Sequence, residues 1–372
     1  MVLAMLAALL LATSGCGGGV RASSWIGLTV AGDTLYAADL QQGRAMDASS
    51  GETTWTFPKD PQENNQGLFY ATPAVSDAGR VFFASQITTG GFLSRRQSIV
   101  WALDAESGEE LWRFEGASEM YVEGGTLSDD VFVIGNSDGN VYALDTESGS
   151  LRWTFETGHH VWATPLIVSD TVYVGSMDRH LYALDLNTGE VKWEFERKGA
   201  FASTPALRDG TLYIGAFNDT FYAIDAEEGT ERWNFKGEDW FWGGPAIHED
   251  TVYAVDVKGR VYAFDAESGQ ERWHKFLVTD QGQPVPVRAG PAISEDGSQL
   301  LVSVESGTLY ALSTSDGFVN WSRAAEGRGL SKPVVSDSLV YQSLILGNSR
   351  IRALQVEEGR EAWAFPPPEE EN

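Results

Sequence analysis

The chain has 372 residues, 53 acidic against 26 basic, and a formal charge of −27. That excess argues against nucleic acid and anionic membrane surfaces as partners, since both would repel it. A single cysteine, Cys16, excludes disulfides and cysteine-based metal sites.

An apolar run from residue 2 leads into Thr13-Ser14-Gly15-Cys16 and then Gly17-Gly18-Gly19. The run is too short to span a bilayer. Small residues before a lone cysteine form the pattern of a bacterial-type lipoprotein signal, so Cys16 is the expected lipidation site. Two departures stand beside the match: no Lys or Arg precedes the run, and Thr13 occupies a place where Leu is usual. A cleaved secretory signal is the alternative. The expected organisation is a signal segment at 1–16, a linker at 17–24, one folded unit at 25–365 and a polar tail at 366–372.

From residue 25 the chain repeats itself. Tyr142-Ala-Leu-Asp145-Thr-Glu-Ser-Gly149-Ser-Leu-Arg-Trp153 recurs as Tyr182 to Trp193, Tyr222 to Trp233 and Tyr262 to Trp273, and looser copies end at Trp55, Trp112, Trp321 and Trp363. The intervals from Trp112 to Trp273 are 41, 40, 40 and 40 residues. A fixed period of this size means an array of one supersecondary unit. Within the copy from Trp162 to Phe195, four apolar runs of strand length are separated by polar turns: 163–168, 171–175, 180–184 and 190–195. Sister copies place Asp138-Gly139 and Lys258-Gly259 at the second turn, where hairpins favour residues tolerant of positive φ. Four antiparallel strands per unit is the pattern of a propeller blade. The fold expected is therefore an all-β, eight-bladed β-propeller with blades near 25–57, 69–114, 121–155, 161–195, 201–235, 241–276, 287–321 and 329–365. Neither end carries a spare strand, so the ring is expected to close by face packing.

The motif A-x-D-x-x-[ST]-G-x-x-x-W resembles the quinoprotein-type, or PQQ-like, β-propeller repeat. Ala143, Asp145, Gly149 and Trp153 fill its fixed places in one copy, and Ala183, Asp185, Gly189 and Trp193 in the next. The resemblance implies that Trp55, Trp112, Trp153, Trp193, Trp233, Trp273, Trp321 and Trp363 seal gaps between blades against a neighbour's turn glycine. Ser313 and Gln355 replace the Asp in the last copies, and Arg352 replaces the Tyr, so those blades are expected to be less regular. Blade number, length and N-terminus are most similar to the BamB-like lipoproteins of outer-membrane protein assembly. That resemblance implies a non-catalytic, lipid-anchored extracytoplasmic scaffold that binds another envelope protein or peptide, such as an outer-membrane assembly barrel, with no cofactor. It would sit on the periplasmic face of the outer membrane or at the cell surface.

Chemistry should lie where the repeat is broken. Both long insertions, 58–68 and 86–98, fall on one rim of the disc, with Arg95 and Arg96 in the second. Just before the inner strands, Trp25, Tyr70, Trp162, Trp242 and Arg288 occupy one register position, and Phe241 stands one residue earlier than its column. These residues form the candidate binding face at the channel mouth, with inner-ring packing as the alternative reading. The opposite rim collects turn aspartates and glutamates, among them Asp145, Asp185, Asp225, Asp265 and Glu267. Gly135-Asn-Ser137-Asp-Gly139 matches G-x-S-x-G, but it sits in a strand-to-strand turn rather than at a strand-to-helix elbow. His159 and His160 have no third and fourth ligand in view, so no metal is expected. Two rival classes remain: a cell-surface sensor or carbohydrate-binding propeller, and a quinoprotein dehydrogenase. The latter enzymes are much longer and commonly use a vicinal disulfide that this chain cannot form.

Overall fold

The structure, a computed structural model, describes residues 26–60, 67–89, 95–279 and 281–367. They form eight antiparallel sheets, each a blade of strands in sequence order, with no helix among the described residues. The blades run from Gly27 to Phe57, Leu68 to Ala117, Gly125 to Glu156, Leu166 to Glu196, Ala206 to Lys236, Ala246 to Phe276, Ala292 to Arg323 and Val334 to Phe365. The inner strands of neighbouring blades, Ala74–Ser76 in blade two and the first strand in the others, meet around most of the ring, so they line the central channel. Blade two departs from the pattern. Leu68–Phe69 adds a fifth, two-residue strand, and the insertion at 86–98 lengthens Arg80–Thr89 and Arg95–Asp104 into a projecting hairpin.

The apolar core is divided into eight clusters, one between each pair of neighbouring blades. In each blade the motif alanine lies directly opposite the motif tryptophan, and the pairing register shifts immediately after that alanine. Such a bulge re-aims the following side chains. The indole lands on the turn glycine of the next blade: Trp153 on Gly189, Trp193 on Gly229, Trp233 on Gly269 and so round to Trp363 on Gly51. Those glycines have φ near +70°, and a Cβ on Gly229 would lie 2.6 Å from Trp193 Cδ2, so both backbone conformation and space require glycine. Each indole N–H also donates to a carbonyl of that turn, as Trp193 does to Ala226 (3.0 Å) and Trp363 to Ala48 (3.0 Å). In several blades a tyrosine hydroxyl donates to the same oxygen; Tyr173 does so at 3.1 Å.

The same clasp closes the ring. Among the described residues, blades one and eight share no strand. Trp363 and Tyr341 both donate to Ala48 O, and the buried Asp39 of blade one pairs with Arg350 of blade eight at 2.6 Å and with Arg44 at 2.7 Å.

The last two blades keep the blade plan but are less regular than blades three to six, as expected: the inner strand of blade seven is cut to Ala292–Ile293, and in blade eight the second turn is widened, with an isolated bridge between Arg328 and Ile345. Each has four strands and the same register shift despite Ser313 and Gln355. The turns survive because their backbone hydrogen bond, Gly317 N to Ser313 O and Gly359 N to Gln355 O, does not involve the missing carboxylate. Arg352 is buried and replaces the tyrosine with main-chain bonds, donating to Arg323 O (2.8 Å) and Ala324 O (3.1 Å) and to Gln342 Oε1 (2.8 Å). Burial pushes its guanidinium down to about 10.

Candidate binding face and channel

The rim bearing the insertions carries a connected strip of aromatic rings. Trp162 donates its indole N–H to Ser137 Oγ at 3.1 Å, which fixes the ring. His160 lies parallel to it, with centroids 5.9 Å apart and planes at 6°, and is held by Nδ1 on Ser137 O. Trp242, two blades further round, reaches Trp162 at 6.3 Å. The intervening blade presents only Ala202 at that register, and so leaves the two indoles room to meet. Phe217 packs on Trp242 at 4.9 Å and on Trp240 at 5.2 Å, the latter pair at 11°. All four rings of this platform are half-buried. Arg288 closes the strip, its guanidinium 5.1 Å from the Trp242 centroid, and is itself held by Glu305 Oε2 at 3.2 Å. Arg328 pairs with the same carboxylate. A platform of aromatic rings ended by an oriented arginine is the composition that anchors protein interfaces.

The sequence-derived candidates divide sharply. Trp162, Trp242 and Arg288 come together in this strip. Tyr70 and Phe241 do not, which corrects their assignment to the face: they are 3% and 1% exposed. Phe241 is packed against Phe221 (5.5 Å) and Tyr262 (5.8 Å) and fills the space over Gly215 and Gly237. The residues one place earlier in each copy, Phe69, Tyr121, Phe201 and Phe241, all belong to the core. Arg96 is exposed and pairs with Glu119 at 3.4 Å, a surface contact of small worth. Arg95 pairs with Thr89 in the hairpin ladder. Trp25 and Cys16 lie outside the described residues. Phe217, Trp240 and Glu305 were missed by the sequence reading; the signal available for Trp240 was its adjacency to the aromatic pair Phe241-Trp242.

The opposite rim is acidic but internally tied. Arg152 bridges Asp130 and Asp145, both at 2.7 Å, and Arg272 bridges Asp250 and Asp265, both at 2.7 Å. Lys192 pairs with Asp170 at 2.9 Å and Arg232 with Asp225 at 2.6 Å. Arg152, then the Ser148 N–H, hold Asp145 well below the usual carboxylate range. Among the described residues no group of three or more His, Cys, Asp or Glu could hold a metal ion.

The family model described as outer membrane protein assembly factor BamB matches residues 95–203, 197–297 and 281–371. The chain belongs to this family. Curated relatives of that name are 34% identical over 73 residues in Yersinia pestis and 36% identical over 78 residues in Shewanella oneidensis. Those matches cover 20% and 21% of this chain, and they span only 18% and 19% of the relatives' own length. Among solved structures, BamB from Moraxella catarrhalis matches with a TM-score of 0.68 at 19% identity, over 85% of this chain and 92% of that one. The computationally designed Ika8 protein matches at 0.71 and 16% identity, over 90% and 98%. The quinohemoprotein alcohol dehydrogenase ADHIIG of Pseudomonas putida HK5 matches at 0.63 and 16% identity, over 80% and 66%. At these identities the structural likenesses show the fold alone.

Proposed function

We propose that this protein is a non-catalytic, lipid-anchored extracytoplasmic scaffold that binds another envelope protein, an outer-membrane assembly barrel in particular, through the rim bearing the aromatic strip. Family membership supports the assembly role. The observation that carries the face is the platform of Trp162, Trp242, Phe217 and Trp240, half-exposed and ended by Arg288. Aromatic rings and arginine supply large contact area at low entropic cost, whereas the acidic rim would repel acidic partners. The test places a photoreactive aromatic residue at Trp162 and, in parallel, at Glu267 on the acidic rim. Crosslinking of an assembly barrel from position 162 is the expected result. Capture from position 267 alone would overturn the face assignment, and quinone-dependent dye reduction by the purified protein would overturn the non-catalytic reading.

A carbohydrate ligand is the second reading, favoured by the same rings standing beside the hydrogen-bonding groups of Arg288 and Glu305. Saturable quenching of tryptophan fluorescence by an envelope glycan, lost in Trp162→Ala, would favour it.

A further inference from the structure

The channel wall breaks the repeat at two places, and both breaks are charged. At the register position before the motif proline, the blades carry Gly27, Thr72, Gly124, Thr164, Thr204, Gly244, Gly290 and, in blade eight alone, Lys332. One residue earlier stand Ile26, Ala71, Glu123, Ala163, Ser203, Gly243, Ala289 and Ser331, where Glu123 is the single charged residue. The inner strands crowd together at this level: a Cβ on Gly124 would lie 2.5 Å from Thr72 O, and one on Gly244 would lie 2.5 Å from Thr204 O. Apart from Ile26, which is buried in the core, the rest of the ring carries small residues beside the two long charged side chains.

Glu123 is held in place from the neighbouring blades. Its Oε2 accepts the Thr164 N–H at 3.0 Å and the Thr204 hydroxyl at 3.4 Å. Blade three thereby reaches blade five, and the space those blades share is the lumen. Lys332 stands at the inner-strand entry of blade eight with its side chain exposed, and the protein around it holds its amine below the usual lysine range. Burial likewise pushes the Glu123 carboxyl up. The two charges act on each other through space, yet no hydrogen bond or ion pair joins them. Ser203, in the Glu123 layer, is 1% exposed and its hydroxyl has no partner. The inner ring thus carries one acidic and one basic group at adjacent levels that are not joined to each other, beside a buried hydroxyl without a partner.

We propose that the channel is a binding site for a small zwitterion, whose ammonium group is taken by Glu123 and whose carboxylate is taken by Lys332. The charge pattern selects this class: a simple anion would satisfy Lys332 and repel Glu123, and a simple cation would do the reverse. The site is independent of the partner-binding rim. It lies below the Trp162 and Trp242 layer, on the inner-strand entries rather than on the insertions.

The test uses the purified full-length chain and calorimetric titration with a length series: glycine, β-alanine, 4-aminobutyrate and 6-aminohexanoate. One member should bind saturably and best, and butylamine and butyrate, which carry one charge each, should bind about 10-fold more weakly or worse, as loss of one charge-assisted contact requires. Glu123→Gln and Lys332→Met should each lower affinity for the best ligand by a similar factor, with circular dichroism unchanged. If a variant fails to fold, the length series on the natural chain still decides. Absence of saturable binding by every member up to about 10 mM, or equal binding by the singly charged controls, would overturn the proposal. Crosslinking at position 162 is unaffected by either outcome, so failure here is distinguishable from failure of the scaffold reading.

Discussion

The clasp between Trp193 and Gly229 yields a test of what holds the ring together. Trp193→Ala removes a ring seated on the next blade and a hydrogen bond to Ala226 O, which keeps its second donor in Tyr173. Trp193 is partly exposed, so the cost should fall at the lower end of large-to-small core changes, about 3 kcal/mol. Gly229→Ala acts through two separable effects. Its φ of +68° costs an L-residue about 1–2 kcal/mol. The added methyl, 2.6 Å from the indole, costs a further overpacking penalty of about 1–3 kcal/mol. Only the second effect needs the tryptophan. In a Trp193→Ala background, Gly229→Ala should therefore cost only the conformational part, and the double variant should be less destabilised than the sum of the singles by about 1–3 kcal/mol. Urea denaturation followed by circular dichroism measures all four corners of the cycle, with a constant m-value checking that the transition is comparable. If Gly229→Ala costs the same in both backgrounds to within about 0.5 kcal/mol, the indole is not confining that turn and the clasp is not the interblade fastener.

Three further outcomes are expected. Arg352→Met should destabilise by about 2–4 kcal/mol, because the carbonyls of Arg323 and Ala324 lose a buried donor; an unchanged urea midpoint would refute the role assigned to it. The turn carboxylates Asp47, Asp104, Asp145, Asp225 and Asp265 all have lowered pKa values. The folded state thus binds fewer protons than the unfolded one, so their contribution is complete about a unit or more above the unfolded value of about 3.9 and drains away as pH falls from there through the folded values. Urea midpoints at pH 6, 4 and 3 should fall progressively from about pH 5 downward, most steeply between pH 4 and 3, and a midpoint flat to pH 3 would contradict the linkage. Mass spectrometry of membrane-extracted protein should find a diacylglyceryl-sized addition on Cys16, with Cys16→Ser releasing soluble protein; an unmodified Cys16 in the mature protein would exclude lipid anchoring.

What the sequence made legible follows from how the information is stored. The clasp is written eight times at nearly constant spacing, so its tryptophans, alanines and glycines stand out against any single irregular copy. The turn aspartates are equally visible, because an Asx turn needs its carboxylate at a fixed offset from the N–H groups it accepts, as Asp145 does from Glu147 and Ser148. Repetition hides whatever is local to one blade. Phe217 stands in a column that is not aromatic elsewhere, Trp240 in one whose only other ring among the described residues is His160, and the stacking of Phe217 on Trp240 joins a hairpin turn to an interblade loop. Phe241 was placed on the face because the entry to each inner strand is irregular, and period-2 alternation cannot say which of two adjacent residues turns inward there; Tyr70 shares the register of Trp162 and Trp242 and is buried in blade two, the one blade with an added strand and a lengthened hairpin. Trp162 and Trp242 sit 80 positions apart, and their contact depends on the smallness of Ala202 between them.

The same logic locates the functional candidates. A propeller built from one repeated blade has no reason to place a single glutamate and a single lysine among glycines, alanines, serines and threonines at its axis, nor to let two indoles from alternate blades meet above them. Interblade fastening is complete without either feature: all eight clasps are present, and the ring closes with Trp363, Tyr341 and the Asp39–Arg350 pair. Glu123 is held by Thr164 and Thr204 of blades four and five, and no clasp uses it or Lys332. Charged residues that no clasp uses, set where the inner strands converge, are accounted for by what enters the channel, and the rim strip by what rests on its mouth.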